Sequence, residues 1–256
     1  MRQTVDVFSD DKSSHTQLVG DCVHWMRALP DASIDVVFAD PPYLLRNKRQ
    51  RMRGGKLVMD PGMSWDAIDH WKWIREVSRL LRPGGTFFCC CSYHSLFEIG
   101  LTAGEHGLRV LNHFTLEKHP SPPCVTGRMA RQNTENLLWF AKGSNWTYHK
   151  QVLKDAGLQS VWPYPVAEVR GLPHETPKPL SIVSLALQMS TDPGDRVLDP
   201  FSGINSVAIA GWDLGLEIIS IELHARYVRH GAIRMRCAGL PTGSRIVQKV
   251  KHGQDH

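Results

Sequence analysis

The sequence has no uninterrupted apolar stretch long enough to span a bilayer, although 42% of its 256 residues are hydrophobic. It also has no pattern of a cleaved secretory signal. Both absences argue against a membrane-spanning or exported protein. We therefore expect a soluble, cytoplasmic chain with no membrane partner. The length suits one sizeable α/β core, so residues 1–256 are treated as a single domain.

The six cysteines contain no Cys-x-x-Cys pair, which removes the commonest spacing of a structural zinc site. Cys89, Cys90 and Cys91 are consecutive in a predicted strand, so their side chains point to alternating faces of a sheet. Such side chains cannot converge on one ion. The sequence predicts no metal site, and we expect reduced cysteines that act as small core hydrophobes.

Charge of one sign is in only moderate excess, with a net charge of +5 and a sequence pI of about 8.9. This permits a polyanionic partner. Basic side chains are concentrated in residues 44–64, which we interpret as a mobile loop that holds a phosphate backbone and closes over substrate. A solvated linker is the alternative. The candidate DNA contacts in this loop are Arg46, Lys48, Arg49, Arg51 and Arg53.

Two further segments are candidates for DNA recognition. Residues 118–134 are rich in proline, glycine and basic side chains, and they contribute Lys118, Arg128 and Arg131. Residues 144–172 have no clear periodicity, and their aromatic side chains are interspersed with cations. That composition suits nucleic-acid contact, although a small packed insert would have the same composition.

The most informative stretch is Asp40-Pro41-Pro42-Tyr43, which directly follows an apolar run predicted to be a buried strand, residues 34–39. Proline fixes φ and lacks an N–H, so the strand ladder ends here and the backbone is stiff. Ligands of open α/β sheets bind just beyond the carboxyl ends of strands. The Asp40 carboxylate and the Pro41 carbonyl can accept the two hydrogens of an amine, and Tyr43 can stack on a flat ring. An ordinary proline turn with a packed tyrosine is the alternative.

A second predicted strand end has the form of a nucleotide site. The strand at residues 196–198 runs into Asp199-Pro200-Phe201-Ser202-Gly203 and a helix, and the next strand ends in Glu222. An acid about twenty residues on is placed to reach the ribose of a cofactor. The Gly-x-Gly-x-x-Gly fingerprint is missing, so a nucleotide cofactor without a diphosphate fits better than a dinucleotide. Asp21 ends an earlier strand, where it is also a typical helix N-cap.

Together these motifs resemble the beta class of DNA amino-methyltransferases, which modify exocyclic amines of bases. Asp-Pro-Pro-Tyr comes early, His174-x-Thr176-x-Lys178-Pro179 comes later, and Asp-Pro-Phe-Ser-Gly with a strand-end Glu comes last, which is the permuted order of that class. The likeness covers roughly residues 19–235. Each match alone is weak, but several in the right order are strong.

The resemblance implies a Rossmann-like α/β fold with a mostly parallel seven-stranded sheet and helices on both faces. It implies S-adenosyl-L-methionine as the methyl donor. It also implies that Asp40, Pro41, Pro42 and Tyr43 grip the target amine. The residues that it assigns to the donor are Asp21, Cys22, Asp40, His174, Thr176, Lys178, Pro179, Asp199, Pro200, Phe201, Ser202, Gly203, Asn205, Glu222 and Leu223.

Two positions qualify this resemblance. Asn205 stands where the family usually has a second glycine. Asparagine tolerates positive φ, so the turn can survive, although a side chain at this position can also narrow the cofactor loop and weaken binding. Asp40 at the first motif position resembles adenine-specific members more than serine-bearing cytosine members. The expected target is therefore adenine N6, with cytosine N4 as the alternative.

The expected partner is double-stranded DNA with the target base flipped out of the helix. The short stretch available for reading a sequence indicates either a brief recognition site or help from a second subunit, as in a homodimer. A cognate restriction enzyme acting on the same site is a further candidate partner. Two other hypotheses stay open: methylation of RNA or a protein amide, and a non-catalytic DNA-binding protein that has lost donor binding through Asn205.

Overall fold

The computed structural model describes residues 7–42, 50–53, 56–59, 69–119, 130–174 and 176–243. The strands are β1 Val7–Ser9, β2 Ser14–Val19, β3 Ile34–Ala39, β4 Gln50–Arg53, β5 Lys56–Met59, β6 Leu81–Cys91, β7 Leu108–His119, β8 Thr134–Lys142, β9 Val161–Pro165, β10 Arg196–Asp199, β11 Glu217–Glu222 and β12 Thr242–Gly243. The helices are α1 Cys22–Ala28, α2 His70–Leu80, α3 Leu96–Glu105, α4 Lys150–Asp155, α5 Val166–Val169, α6 Leu180–Ser190, α7 Ser206–Trp212 and α8 Ala225–Cys237. None of the described helices is long and apolar enough to cross a membrane.

The predicted mostly parallel α/β sheet is confirmed, and its seven central strands run in the order β2-β11-β10-β3-β6-β8-β7. The first five pair in parallel. Strand β8 is antiparallel to both of its neighbours, so β7 again runs with the majority. The sheet is larger than expected, because β9 extends one edge and β1 and β12 extend the other to give ten strands among the described residues.

Helices cover both faces of the sheet. Apolar side chains of α1, α2 and α3 pack on one face, and those of α4, α6, α7 and α8 pack on the other. The cysteine prediction is confirmed in its geometry, because Cys90 belongs to one buried cluster while Cys89 and Cys91 belong to the other. Phe87 and Phe88 of the same strand are divided between the clusters in the same way, as the period of two requires.

The adjacent strands β3 and β10 fix the position of the site. Val197 pairs with Val36 and Leu198 with Val37 in parallel register, so both strands end at the same edge of the sheet. The segment after β3 leads to α2 on one face, whereas β10 leads to α7 on the other face. Such a divergence opens a crevice between the two strand ends, which is where open α/β sheets bind ligands.

The end of α2 lies earlier than the periodicity predicts. Apolar side chains at Ile68, Trp71, Ile74, Val77 and Leu81 recur at helical spacing and predict a helix over residues 65–82. In the structure α2 ends at Leu80, and Leu81 already has an extended backbone at φ −63° and ψ 132°. Proline disfavours the helical conformation of the residue before it, so Pro83 limits the helix at this end. Residues 60–68 lie outside the described part of the chain.

The three candidate DNA segments contain more regular structure than expected. Residues 44–64 include the β4–β5 hairpin, on which Arg51 and Arg53 lie. Lys118 belongs to β7 rather than to a loop. Residues 144–172 form α4, β9 and α5, and were wrongly interpreted as irregular. Trp162 and Tyr164 are buried in the core, so these two aromatic rings are not available to stack on a base.

Candidate active site

A cleft opens at the carboxyl ends of β3 and β10. Residues from the segment before α6 and from the loop before α7 close it on two sides. Its lining includes Asp40, His174, Thr176, Lys178, Asp199, Phe201, Ser202 and Gly203. The strand ends at Asp40 and Asp199 therefore line the same cleft.

The Asp40 carboxylate is held by a lysine from a distant part of the chain. Lys178 Nζ donates to Asp40 Oδ2 at 2.7 Å and lies 3.4 Å from Glu135 Oε2. Burial alone would lower the pKa of Lys178, but Asp40 and Glu135 reverse the effect and raise the pKa well above its usual value. Lys178 therefore stays charged beside Asp40. Pro41 is buried and Pro42 half-buried, whereas Tyr43 lies outside the described residues.

The loop after β10 wraps around a buried carboxylate. Asp199 is 3% exposed, and its Oδ1 accepts the N–H of Phe201 at 3.2 Å. Burial raises the pKa of Asp199 well above its usual value; the Phe201 hydrogen bond opposes this rise, and the charges of Asp40 and Glu222 add to it. The Phe201 ring packs edge-on against Trp73 at 5.2 Å between centroids. Three carboxylates thus share one confined region, which favours a cationic ligand.

Glu222 connects the end of β11 to this loop. Its Oε2 accepts the N–H of Gly203 at 2.9 Å, and its Oε1 accepts the N–H of His224 at 2.8 Å. The backbone of Gly20 donates to the Glu222 carbonyl at 2.9 Å, which brings the end of β2 alongside. Burial raises the pKa of Glu222, and the hydrogen bonds from the His224 and Gly203 backbones oppose that rise.

Comparison with known proteins identifies the family. The sequence model of the DNA methylase family, which groups N6 and N4 methyltransferases, matches residues 34–233 of the chain. The chain belongs to the DNA methylase family. It is 30% identical over 237 residues to the Type II methyltransferase M2.MboI of Moraxella bovis, with 86% of each chain covered. It is 28% identical over 227 residues to the Type II methyltransferase M2.DpnII of Streptococcus pneumoniae, covering 82% of this chain and 85% of that one.

Solved structures show the same fold. The M1.HpyAVI–SAM complex has a TM-score of 0.64 and 22% identity, covering 86% of this methylase and 99% of that chain. The cytosine-N4-specific PvuII DNA methyltransferase has a TM-score of 0.68 and 17% identity, covering 86% of both chains. The chain therefore has the fold of these DNA methyltransferases. As a member of the DNA methylase family, it uses S-adenosylmethionine as its cofactor.

The residues of the methylase fit that cofactor. S-adenosylmethionine carries a sulfonium and an ammonium, and the cleft edge concentrates the buried carboxylate of Asp199 near those of Asp40 and Glu222. A cation relieves the mutual repulsion of such groups. Leu223, directly after Glu222, is an exposed large apolar side chain at 54%, a surface that suits an apolar ring.

Asn205 adopts the left-handed backbone conformation, with φ 63° and ψ 41°, at the N-cap of α7. Its side chain packs away from the cleft, whose lining does not include Asn205. It is 1% exposed and points toward α8, where its amide lies 3.3 Å from Met235 Sδ and a Cβ on Gly231 would meet it at 2.8 Å. The change from glycine is thus accommodated on the far side of the loop from the cleft.

His174 packs directly over the cofactor loop. A Cβ on Gly203 would lie 2.9 Å from His174 Nε2, and Gly203 has a φ of +51°. The His174 Nδ1 accepts the N–H of Thr176 at 3.2 Å, and its ring lies 4.5 Å from the ring of Tyr227. Burial, together with Lys178, Arg226 and Arg234, lowers the pKa of His174 to about 4, so the ring is neutral near pH 7.

Replacing Gly203 by alanine is expected to weaken donor binding about tenfold or more, because the new methyl group displaces His174 and strains a positive φ. Calorimetric titration with S-adenosylmethionine measures the effect. Gly104→Ala is the matched control, since no atom lies within 4 Å of its added Cβ, and it should bind the donor like the wild type. Equal affinity of the two variants would contradict the packing of His174 on the loop.

The remaining predicted donor residues surround the cleft without lining it. Asp21 accepts the N–H of His24 at 2.8 Å and so caps α1, the alternative role foreseen for it. Cys22 is buried at the start of α1, and burial raises the pKa of its thiol to about 12. Pro179 is the N-cap residue of α6, and Pro200 is buried in the loop after β10.

The candidate DNA contacts are only partly described. Arg131 is exposed. Lys118 is not a free surface cation, because it forms an ion pair with Glu135 and its ammonium lies 4.8 Å from the Tyr164 ring centroid. Arg46, Lys48, Arg49 and Arg128 lie outside the described residues. Only the backbones of Arg51 and Arg53 are described.

Glu135 was missed as a member of the site. It is the second residue of β8, and an antiparallel strand begins at the edge where its parallel neighbours end. The sequence signal was an acidic residue at the start of a strand, after a basic loop. Its meaning depends on the direction of β8, which a single sequence does not reveal.

Proposed function

We propose that the methylase transfers the methyl group of S-adenosylmethionine to the N6 amine of a flipped-out adenine at a specific site in duplex DNA. The observation that carries this proposal is the pair Asp40 and Asp199, which line one cleft at the ends of two adjacent parallel strands. Membership of the DNA methylase family supplies the class of substrate. Asp at the first position of the Asp-Pro-Pro-Tyr motif supports adenine over cytosine.

The Asp40 side of the cleft receives the base. The Asp40 carboxylate and the Pro41 carbonyl accept the two amine hydrogens, which draws the nitrogen toward tetrahedral geometry and makes its lone pair available. Asp40 then stabilises the positive charge that develops on the nitrogen. Tyr43 stacks on the flipped base and offsets part of the few kcal/mol that base flipping costs.

The Asp199 side of the cleft holds the donor. The Glu222 carboxylate takes the ribose, the loop from Asp199 to Asn205 surrounds the methionine part, and His174 and Thr176 close over it. When bound, S-adenosylmethionine supplies a methyl group activated on a sulfonium. By holding amine and methyl in contact, the cleft removes several kcal/mol of the barrier. Lys178 was expected among the donor contacts, and its hydrogen bond to Asp40 Oδ2 supports a place on the base side instead.

Mass spectrometry of nucleosides tests the proposed target. Long unmethylated duplex DNA made by amplification is incubated with the protein and donor, then digested to nucleosides. N6-methyl-2′-deoxyadenosine is the expected product. N4-methyl-2′-deoxycytidine alone would overturn the choice of base, and transfer of labelled methyl only to RNA or protein in parallel reactions would overturn the choice of DNA.

The names of the two relatives, both Type II methyltransferases, support a role beside a restriction enzyme that acts on the same site. In that role methylation protects the cell's own DNA from cleavage. We keep the homodimer as part of the same proposal, because one chain offers little surface for reading a sequence.

Neutralising three arginines of the basic loop should weaken DNA binding and flatten its salt dependence. Each lost phosphate contact reduces the slope of log K against log salt by about 0.9, so the triple variant Arg49→Gln, Arg51→Gln, Arg53→Gln is expected to lose up to about 3. Fluorescence anisotropy with a labelled duplex at several salt concentrations measures the slope.

The matched control removes the same charge from exposed arginines of α2 and α8, namely Arg75, Arg229 and Arg236. Its slope should stay close to that of the wild type. A loop variant with an unchanged slope would place residues 44–64 away from the DNA.

A further inference from the structure

From Asp40 the cleft continues into a chain of alternating charges whose outer members, Glu135 and Lys118, contact neither the donor nor the base in the proposed function. Lys178 lies between Asp40 Oδ2 at 2.7 Å and Glu135 Oε2 at 3.4 Å, and Glu135 Oε1 accepts from Lys118. The Lys178 side chain is 3% exposed and that of Glu135 is 11% exposed. The two ends are more open, Lys118 at 21% and Asp40 at 20%.

These four side chains come from four separate elements. Asp40 follows β3, Glu135 begins β8, Lys118 is near the end of β7, and Lys178 precedes α6. They meet because β8 is antiparallel and places its first residues at the edge where β3 and β7 finish. A salt bridge within one helix or strand follows from local sequence, whereas this one requires the complete sheet.

The backbone around Lys178 is anchored independently. The Ser206 hydroxyl donates to the Lys178 carbonyl at 3.0 Å, and the Tyr164 hydroxyl donates to the Pro177 carbonyl at 3.3 Å. The root of the lysine side chain is therefore fixed, and its charged end is directed by the carboxylates that it contacts.

We propose that Glu135 is a positioning residue, which holds the Lys178 ammonium between two carboxylates and thereby orients Asp40 for the target amine. This inference rests on the proposed function of Asp40. A lysine shared with Glu135 gives one directed hydrogen bond to Asp40 Oδ2. A lysine without Glu135 turns fully toward Asp40 and competes with the amine for the same carboxylate lone pairs.

The charges of these four side chains also balance: among the described residues, Lys178 and Lys118 compensate Asp40 and Glu135. Removal of a single member leaves an uncompensated charge in a site of low dielectric, whereas removal of a matched pair does not. That difference allows the role of Glu135 to be separated from a merely structural one.

Glu135→Gln keeps the shape and removes the charge. In single-turnover methyl transfer at saturating donor and DNA, the rate is expected to fall about 10- to 100-fold, the effect of one charge-assisted hydrogen bond. The Kd for S-adenosylmethionine is expected to stay unchanged, because Glu135 does not line the donor side. Glu117→Gln is the matched control, since Glu117 on β7 is more exposed and pairs with His119.

A double-variant cycle with Lys178→Met tests whether Glu135 acts through the lysine. Once Lys178 is gone, Glu135→Gln should cause no further loss of rate, so the two effects are strongly non-additive. The double variant has lost both charges of the pair and is expected to remain folded even if Glu135→Gln alone melts at a lower temperature.

Three results would overturn the inference: a wild-type rate in Glu135→Gln, additive losses in the cycle, or a loss explained entirely by weaker donor binding. These results differ from a failure of the proposed function, in which the wild-type protein itself would transfer no methyl group to DNA.

Discussion

Asp40→Asn is expected to reduce methyl transfer at least about 10³-fold while donor binding stays intact. The substitution keeps the shape of the side chain and removes the negative charge that stabilises the methylated, positively charged amine. It also places an amide NH₂ where the carboxylate accepted a hydrogen bond from Lys178 at 2.7 Å. Since the proposed donor contacts lie at the ends of β10 and β11, in the loop after β10 and in the segment before α6, the cofactor should still bind. Single-turnover transfer and calorimetry with S-adenosylmethionine measure the two quantities separately.

Asp213→Asn provides the matched control, because Asp213 is an exposed residue at the end of α7 and its rate should equal that of the wild type. If Asp40→Asn transferred methyl groups within tenfold of the wild-type rate, Asp40 would not be the group that stabilises the reacting amine. If it lost donor binding instead, the division of the cleft into a base side and a donor side would be wrong.

Glu222→Gln should weaken binding of S-adenosylmethionine about 100-fold, with a much smaller effect on the rate at saturating donor. Both carboxylate oxygens of Glu222 accept backbone N–H groups, one from Gly203 and one from His224. Glutamine offers one oxygen and one NH₂, so one of these two backbone N–H groups then faces another hydrogen-bond donor instead of an acceptor. The cofactor loop shifts, and a ribose hydroxyl loses its charged acceptor.

Glu217→Gln is the control for this variant. Glu217 lies at the other end of the same strand, β11, and forms an exposed ion pair with Arg196 at 2.8 Å. Its donor affinity should match that of the wild type. A Glu222→Gln protein with wild-type affinity would remove Glu222 from the donor site, whatever the activity.

The strand ends of the site could be predicted from sequence because their signals are local. Pro41 ends the strand that the preceding apolar run forms, whatever the position of that strand in the sheet. Strand β3 accordingly has the predicted bounds, Ile34–Ala39. The sequence signals for β10 and the loop that follows it are equally local. Even the left-handed turn at Asn205 follows from the tolerance of asparagine for positive φ.

Features set by pairing between distant strands could not be predicted. Glu135 belongs to the site only because β8 runs antiparallel between β6 and β7. The direction of the Asn205 side chain likewise depends on the space that the missing side chain of Gly231 leaves beside α8. The composition of residues 144–172 suits both DNA contact and a packed insert. Because β9 pairs with β7, the side chains of Trp162 and Tyr164 are buried in the core.

The central claim is that the target amine and the methyl donor occupy adjoining halves of one cleft, between the ends of β3 and β10. A bisubstrate ligand tests it most directly. One half of this ligand is adenosine and the other half is an analogue of S-adenosylmethionine, and a short linker joins N6 of the adenosine to the atom that replaces the sulfur. Because the second half binds intramolecularly, calorimetry should give an affinity about 100-fold tighter than that of S-adenosylhomocysteine. Asp40→Asn should remove most of that gain. An affinity no better than that of S-adenosylhomocysteine would contradict the account.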